Sequence, residues 1–291
     1  MTYSEHALVF NCAGNRLVGI AAVPETPAET AVIIVVGGPQ YRAGSHRQFT
    51  LLARQLAGLG IATLRFDYRG MGDSEGEMCN FEMVDADIRA AVDILIQHVP
   101  GVAHIVLWGL CDGASAAIYY AYTDARISGL ILLNPWVHTE YGASRARLRH
   151  YYLARLMQRS FWSKLLSGKV MLSSSLGELS RSASGTVEPD SAVDARYGSP
   201  GYIDRMYEGL NLFKGKILII LSGNDLTAQE FLALTRQDKR WKKLVRRPGV
   251  SSATLKLANH TFSTRAWRET VGDWSATWIS NLTDKARPDE N

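Results

Sequence analysis

The sequence predicts an α/β fold in which a mostly parallel sheet carries helices on both faces and is interrupted by an insertion. Short apolar runs that are typical of buried strands alternate with longer amphipathic stretches along most of the chain. The length of 291 residues and the hydrophobic fraction of 46% are enough for a substantial core. One large domain with an inserted segment is therefore the favoured organisation.

The predicted elements follow one another in a regular order. Two short strands, 7–11 and 17–22, flank a hairpin turn predicted at Gly14 and Asn15, and a linker rich in Pro, Glu and Thr follows. The later strands are predicted at 31–36, 61–66, 104–108, 127–133, 217–221 and 252–257. The helices are predicted at 47–59, 81–98, 113–122, 227–239 and 264–282.

The alternation stops between strand 127–133 and strand 217–221, over a distance too long for a simple crossover. We expect a core formed by 1–136 and 212–291 and a partly helical cap formed by 137–211. The first half of this cap is rich in Arg, Tyr, Leu and Lys. Its basic residues form either a solvated helix face or a docking patch for an acidic carrier protein, phosphopantetheine or a membrane surface.

A cysteine bracketed by glycines follows the apolar strand 104–108. The run Gly109-Leu-Cys-Asp-Gly113 has the G-x-S-x-G spacing of a nucleophile elbow, in which the nucleophile lies on a sharp turn between a strand and a helix. Glycines flank it because larger side chains would collide in that turn. The sequence therefore predicts an elbow with Cys111 in the serine position.

Two later residues complete a predicted Cys111, His260, Asp225 triad. Asp225 follows strand 217–221, His260 precedes the last helix, and nucleophile, acid and histidine stand in the chain order of α/β-hydrolases. His260 and the helix that starts at the elbow are expected to lower the thiol pKa, while Asp225 fixes the imidazole tautomer. The alternative is a buried structural cysteine, with Asp225 and His260 as ordinary loop residues.

Acyl transfer also requires an oxyanion hole, whose first donor is predicted to be the backbone N–H of Asp112. The second donor is Gly38 or Gln40, since Pro39 has no N–H. Gly38 is preferred because the run at 36–39 resembles the His-Gly-Gly-Pro run of proline iminopeptidase-like hydrolases, with valine in place of histidine.

The mouth of the site is predicted to bind substrate through four residues: Tyr41, Arg42, His46 and Trp136. Arg42 and His46 would meet an anionic group or, alternatively, begin a helix with solvated charges. In the glycine-rich loop after strand 61–66, polar side chains are expected to hold the loop by hydrogen bonds rather than to act in catalysis.

Composition and charge exclude several function classes. The balance of 32 Lys+Arg against 28 Asp+Glu gives no signature of nucleic-acid binding. The cysteines, Cys12, Cys79 and Cys111, are odd in number and lack paired spacing, which argues against a disulfide framework and a zinc site. Without a signal-like or membrane-spanning segment, we expect a cytoplasmic protein with no stable membrane insertion.

Three stretches, 37–49, 64–76 and 108–116, resemble the α/β-hydrolases called exosortase A system-associated hydrolase 1. Members of that family are encoded beside bacterial exopolysaccharide and protein-sorting genes, so the resemblance implies a similar setting. Dienelactone hydrolases are a more distant parallel, similar in having cysteine at the elbow.

The predicted function is that of a hydrolase or acyltransferase that needs no cofactor or metal. It would act on a free or carrier-bound ester or thioester, with an acyl carrier protein as a candidate partner, through an acyl-Cys111 intermediate. The alternatives are hydrolysis of carbon–carbon, lactone or peptide-like bonds. A catalytically weak binding subunit of an exopolysaccharide or exosortase system is the third hypothesis.

Overall fold

The computed structural model describes residues 1–37, 40–138 and 201–284. Within them the strands are β1 Tyr3–Cys12, β2 Asn15–Pro24, β3 Thr30–Val35, β4 Thr63–Asp67, β5 His104–Leu110, β6 Ile127–Leu133, β7 Lys216–Ser222 and β8 Val250–Leu255. The α-helices are α1 Gln48–Gly58, α2 Asp85–His98, α3 Asp112–Ala121, α4 Tyr202–Leu212, α5 Leu226–Gln237, α6 Lys239–Leu244 and α7 Arg265–Asp284.

The strands form one sheet in the order β1-β2-β4-β3-β5-β6-β7-β8. Strands β1 and β2 form an antiparallel hairpin, and β2 pairs antiparallel with β4. All other neighbours pair in parallel, from β4 through β3, β5, β6 and β7 to β8. Helices α1 and α7 contact each other, and so do α2, α3 and α4 in sequence. The predicted mostly parallel α/β sheet is confirmed.

The centre of the sheet is apolar because both of its faces are covered. Every residue of β3 is buried, and so are nearly all residues of β5 and β6. The C-terminal helix packs directly on this centre. A side chain at Gly129 in β6 would lie 2.9 Å from the indole of Trp278, and the indole N–H of Trp108 in β5 donates to Ser275 Oγ at 3.3 Å.

The N-terminal hairpin differs from the predicted one in its turn. Cys12 pairs with Asn15, so the two turn residues are Ala13 and Gly14, with φ of 49° and 85°. Positive φ at both central positions is the geometry of a type I′ turn, which matches the twist of paired strands. The first strand also begins at Tyr3, four residues earlier than predicted, because its exposed side chains hide the strand pattern.

The helical stretch predicted at 227–239 is two helices in the structure. Asp238 adopts an extended conformation, with φ −81° and ψ 123°, and its carboxylate accepts hydrogen bonds from the N–H groups of Arg240 and Trp241. This side chain therefore ends α5 and caps the start of α6. Helix α2 likewise begins at Asp85 rather than at 81.

Helix α4 belongs to the same compact unit as the sheet. The sequence places residues up to 211 in the cap, whereas α4 packs against α3, where a side chain at Gly209 would lie 2.8 Å from the Ile118 carbonyl. The predicted cap otherwise falls mainly on 139–200, outside the described residues, and stays a prediction.

In the described part of the chain, no helix is both long and apolar enough to cross a membrane.

The loop after β4 is organised around Asp67, whose side chain is fully buried. Its carboxylate accepts hydrogen bonds from the backbone N–H of Arg42 at 2.6 Å, from the Arg42 guanidinium, and from the N–H of Asp73 at 3.1 Å. Ser74 Oγ donates to the Asp67 carbonyl at 2.6 Å. These contacts confirm the predicted structural role of the loop's polar residues.

We expect Asp67→Ala to lower the free energy of unfolding by about 3 kcal/mol, because it removes the buried carboxylate that accepts from two backbone N–H groups and leaves Arg42 with only the exposed carboxylate of Asp73. Glu269→Gln is the control, since the Arg265–Glu269 pair is exposed and its loss should change stability little. Urea unfolding of both variants measures this. Equal stability of the two variants would contradict the role assigned to Asp67.

Candidate active site

Cys111 occupies the sharp turn between β5 and α3. Its φ of 61° and ψ of −126° lie outside the regions that most side chains adopt, as expected for a strained elbow. The turn is held by hydrogen bonds of the cysteine backbone. The N–H donates to the Leu133 carbonyl at 2.9 Å, and the carbonyl accepts from the N–H groups of Ala114 at 3.0 Å and Trp136 at 3.2 Å.

Three glycines allow the backbone segments around this turn to touch. A Cβ on Gly109 would lie 2.5 Å from the Gly113 carbonyl, and a Cβ on Gly113 would lie 2.5 Å from the Val35 carbonyl. A Cβ on Gly37 would lie 2.3 Å from Asp112 Oδ1. The two glycines that bracket the cysteine are thus required by contact with neighbouring backbone, as the elbow interpretation predicts, and Gly37 brings the β3 loop against the elbow.

The thiol of Cys111 is in a less favourable environment for a thiolate than the sequence suggests. Burial raises its pKa above the ordinary cysteine value, and the negative charges of Asp112 and Asp225 raise it further. A hydrogen bond from the backbone N–H of Asp112 acts in the opposite direction. The expected lowering of the thiol pKa is therefore not found, because burial and two carboxylates outweigh that hydrogen bond.

Asp225 and His260 are joined as the triad prediction requires. His260 Nδ1 lies 3.0 Å from Asp225 Oδ2, and the side chains are 33% and 8% exposed. A carboxylate only accepts hydrogen bonds, so Nδ1 carries the proton and Nε2 is left as the basic nitrogen. Among the described residues, no hydrogen bond joins the Cys111 thiol to His260, so the structure contains the predicted contact between Asp225 and His260 but not the one between His260 and Cys111.

Asp225 has a second task in the fold. It is the N-cap of α5, and its Oδ2 accepts a hydrogen bond from the N–H of Ala228 at 3.0 Å. The same oxygen atom thus satisfies a free helix donor and faces the imidazole of His260.

The loop that should supply the second oxyanion donor is partly outside the described residues, since Gly38 is not among them. The side chain of Gln40 accepts a hydrogen bond from the Ser45 N–H at 3.4 Å. At the start of this loop, the buried hydroxyl of Tyr68 donates to the Val36 carbonyl, a contact that no sequence pattern indicated. Burial raises the pKa of Tyr68 well above its usual value, which keeps it a donor. The oxyanion hole of Asp112 with Gly38 or Gln40 stays a prediction.

The four residues predicted to bind substrate have different surroundings. Tyr41 is 52% exposed, and His46 is exposed with φ of 53°. Arg42 is committed to Asp67 and Asp73, at 2.6 Å from the latter, which leaves its guanidinium poorly placed for an anionic substrate. Trp136 is half-buried. Its backbone N–H donates to the Cys111 carbonyl and its backbone carbonyl accepts from Ser115 Oγ, so both groups hold the elbow.

A cavity of about 570 Å³ lies between α1 and α7. Its apolar lining includes Trp108, Leu133 and Phe262, and Arg265 and Arg268 contribute charge. None of Cys111, Asp225 and His260 is among its described lining residues, although Phe262 follows His260 closely.

In the described ranges, no group of three or more His, Cys, Asp or Glu side chains is arranged to hold a metal ion.

Comparison with known proteins identifies a family. The sequence model of the family described as serine aminopeptidase, S33, matches residues 27–261. An uncharacterized protein of Rickettsia prowazekii is 27% identical over 135 residues, which are 45% of this chain and 56% of that protein. The chain thus spans little more than half the length of that curated relative.

Solved structures share the fold at low sequence identity. An esterase of Pyrococcus furiosus is 16% identical, with a TM-score of 0.66 over 96% of this chain and 91% of its own. Est1E of Butyrivibrio proteoclasticus with ferulic acid bound is 18% identical, with a TM-score of 0.61 over 94% and 100%. A dienelactone hydrolase of Anabaena variabilis is 13% identical, with a TM-score of 0.61 over 97% and 99%.

We expect Gly113→Ala to destabilise the protein by about 1–3 kcal/mol, because the new methyl group would press on the backbone of Val35 and Gly37. Gly58→Ala is the matched control, since nothing lies within 4 Å of its Cβ position in α1. That change should be neutral or stabilise by about 0.5–1 kcal/mol. Thermal unfolding distinguishes them, and equal melting temperatures would refute the contact argument.

We expect Asp112→Asn to speed the alkylation of Cys111 by iodoacetamide at fixed pH. Removing the adjacent negative charge lowers the thiol pKa, so the thiolate fraction at a given pH rises. Peptide mass spectrometry over a range of pH values measures the rate at each cysteine. Asp112→Glu, which keeps the charge, should label like the wild type, and no acceleration in Asp112→Asn would contradict the electrostatic argument.

Proposed function

Because the chain belongs to the serine aminopeptidase S33 family of α/β-hydrolases, we propose that it hydrolyses ester or thioester bonds with Cys111 as the nucleophile. The observation that carries the proposal is the hydrogen bond between Asp225 and His260, on the loops that follow β7 and β8. Cys111 stands on the strained elbow after β5 of the same parallel sheet. The family name specifies a serine, so the sulfur atom is the distinctive feature of this chain.

In the proposed acylation step, Cys111 Sγ attacks the carbonyl carbon of the substrate. A carbon–sulfur bond forms while the thiol proton passes to His260 Nε2, and the backbone N–H of Asp112 stabilises the developing oxyanion. The carbon–oxygen or carbon–sulfur bond to the leaving group then breaks. His260 returns the proton to that leaving group, which departs as an alcohol or a thiol.

Deacylation uses the same groups with water as the nucleophile. His260 Nε2 takes a proton from water while the water oxygen attacks the acyl carbon. The carbon–sulfur bond to Cys111 then breaks, and His260 returns the proton to Sγ. The products are a carboxylic acid and the restored thiol. Transfer to another acceptor instead of water would make the protein an acyltransferase.

The raised pKa of Cys111 supports a particular form of this chemistry. A thiol that is mainly protonated has to lose its proton during attack, so His260 acts as a general base rather than as the partner of a preformed thiolate. This is the way serine hydrolases work, and it is consistent with a family named for serine. It also makes the position of the imidazole decisive for the rate.

The substrate class is supported by the esterases among the structural neighbours, one of which holds ferulic acid. A carrier-bound thioester stays a prediction, because the basic residues that would meet a carrier fall within 139–200. The exosortase-associated setting is likewise a hypothesis that rests on the resemblance of 37–49, 64–76 and 108–116.

Hydrolysis of peptide-like bonds is the second candidate function. The family description names an aminopeptidase, and the carboxylate of Asp112 is close enough to influence the Cys111 thiol. A negative charge there would suit a substrate with a free amino group near the scissile bond. Aminoacyl p-nitroanilides therefore belong in any substrate panel.

We expect a butyryl adduct on Cys111 when the protein is mixed with p-nitrophenyl butyrate or S-phenyl thiobutyrate and the reaction is rapidly stopped with acid. Intact and peptide mass spectrometry detect the adduct. Cys111→Ala should form none, and His260→Ala should slow both steps at least about a hundredfold. Cys79→Ala is the matched control, since this cysteine is also partly exposed and lies outside the site. An adduct that persists in Cys111→Ala, or unchanged rates in His260→Ala, would refute the proposal.

A further inference from the structure

Asn134 is a fully buried polar residue directly after β6 that the proposed reaction does not use. Its φ of 43° is in the left-handed region, which asparagine tolerates better than most residues. Its side-chain amide makes three hydrogen bonds. Nδ2 donates to Ser222 Oγ at 2.9 Å and to the His260 carbonyl at 3.0 Å, and Oδ1 accepts from the Ser222 N–H at 2.8 Å.

The chemistry of these partners determines the orientation of the amide. The backbone N–H of Ser222 only donates, so it must face Oδ1, and the carbonyl of His260 only accepts, so it must face Nδ2. Both amide protons of Asn134 are thereby used. No rotated arrangement satisfies these contacts, so the amide links β7 in a fixed orientation to the loop 256–264 that carries His260, here called the histidine loop.

Ser222, the last residue of β7, extends this link by one residue. Its hydroxyl accepts from Asn134 Nδ2 and donates to the carbonyl of Asn259 at 2.9 Å. The buried pair therefore holds two successive carbonyls, those of Asn259 and His260. These two peptide groups determine where the Cα–Cβ bond of His260 points.

The same short segment also holds the nucleophile. The carbonyl of Leu133 accepts the N–H of Cys111 at 2.9 Å, and the next residue, Asn134, holds the carbonyl of His260 at 3.0 Å. Likewise Ser222 holds the histidine loop, and three residues later Asp225 binds the imidazole itself. The end of β6 therefore binds the backbones of Cys111 and His260, and the end of β7 and the loop after it bind the backbone of the histidine loop and the imidazole of His260.

We propose that Asn134 and Ser222 are positioning residues that set the location of the His260 imidazole relative to Cys111. The proposal rests on the proposed function, since it assumes that His260 transfers the proton of Cys111. Proton transfer is sensitive to the separation of the two groups, and a displacement of about 1 Å can cost about a hundredfold in rate. Loss of either side chain should therefore lower the rate of acylation more than the affinity for substrate.

The test uses Ser222→Ala and Asn134→Gly in the full chain, with p-nitrophenyl butyrate as the substrate. Glycine at 134 removes the amide without adding strain at positive φ. We expect kcat to fall about tenfold to a hundredfold with little change in KM, and the pH profile of kcat/KM to shift. The fraction of folded protein, measured by circular dichroism and urea unfolding, should match that of the wild type, so that the fall in kcat is not a loss of folded molecules.

Two further variants serve as controls. Ser251→Ala removes another serine hydroxyl that donates to a strand carbonyl, that of Ile217 at 3.3 Å. This contact joins the starts of β7 and β8, whereas Ser222 and the histidine loop lie at their ends. The Ser251→Ala variant should keep wild-type kcat. Ser222→Thr retains the hydroxyl and should keep kcat within about threefold of wild type, which separates the hydrogen bond from the effect of altered packing.

The outcomes separate this proposal from the proposed function. If wild-type turnover depends on Cys111 and His260 while Ser222→Ala and Asn134→Gly match Ser251→Ala in kcat and pH profile, the positioning role is overturned. If the folded fraction falls in proportion to kcat, so that the rate constant per folded molecule stays constant, the pair is only structural and the positioning role is likewise overturned. If turnover is independent of Cys111 and His260, the proposed function itself fails.

Discussion

The site depends on the close approach of backbone segments at the elbow between β5 and α3. Gly109 and Gly113 let the start of α3 pack against β5 and the end of β3, and Gly37 brings the following loop to within contact distance of Asp112. These contacts leave no room for side chains, so Cys111 is turned out of the regular backbone into a strained conformation. The parallel sheet then brings Asp225 and His260 to the same edge, since its strands end there together.

The central strands of this fold could be predicted closely from sequence. Strands β3, β5, β6 and β7 are short apolar runs, and their observed bounds lie within two residues of those predicted. The pattern failed where a single polar side chain decides the local structure, as Asp238 does between α5 and α6. It also failed at β1, whose exposed face carries no apolar alternation to recognise.

The sequence pointed to candidate chemical residues but not to the residues that hold them in place. Spacing and chain order pointed to Cys111, Asp225 and His260, and the structure joins the last two. Asn134, Ser222 and Tyr68 gave no signal, because a lone asparagine, serine or tyrosine after an apolar run is common and its partners are distant in sequence. The direction of the Cys111 pKa shift also required the structure, since burial depends on what packs around the thiol.

The double use of one oxygen atom of Asp225 affects how related sequences should be interpreted. A descendant that lost its catalysis would still need a carboxylate at this position to begin α5. An aspartate retained there is consequently weak support for activity in a homologue. Among the described residues, the only side-chain hydrogen bond of the His260 imidazole is the one to Asp225, so under the proposed mechanism its replacement in a relative would be the clearer mark of a lineage that kept the scaffold and abandoned the reaction.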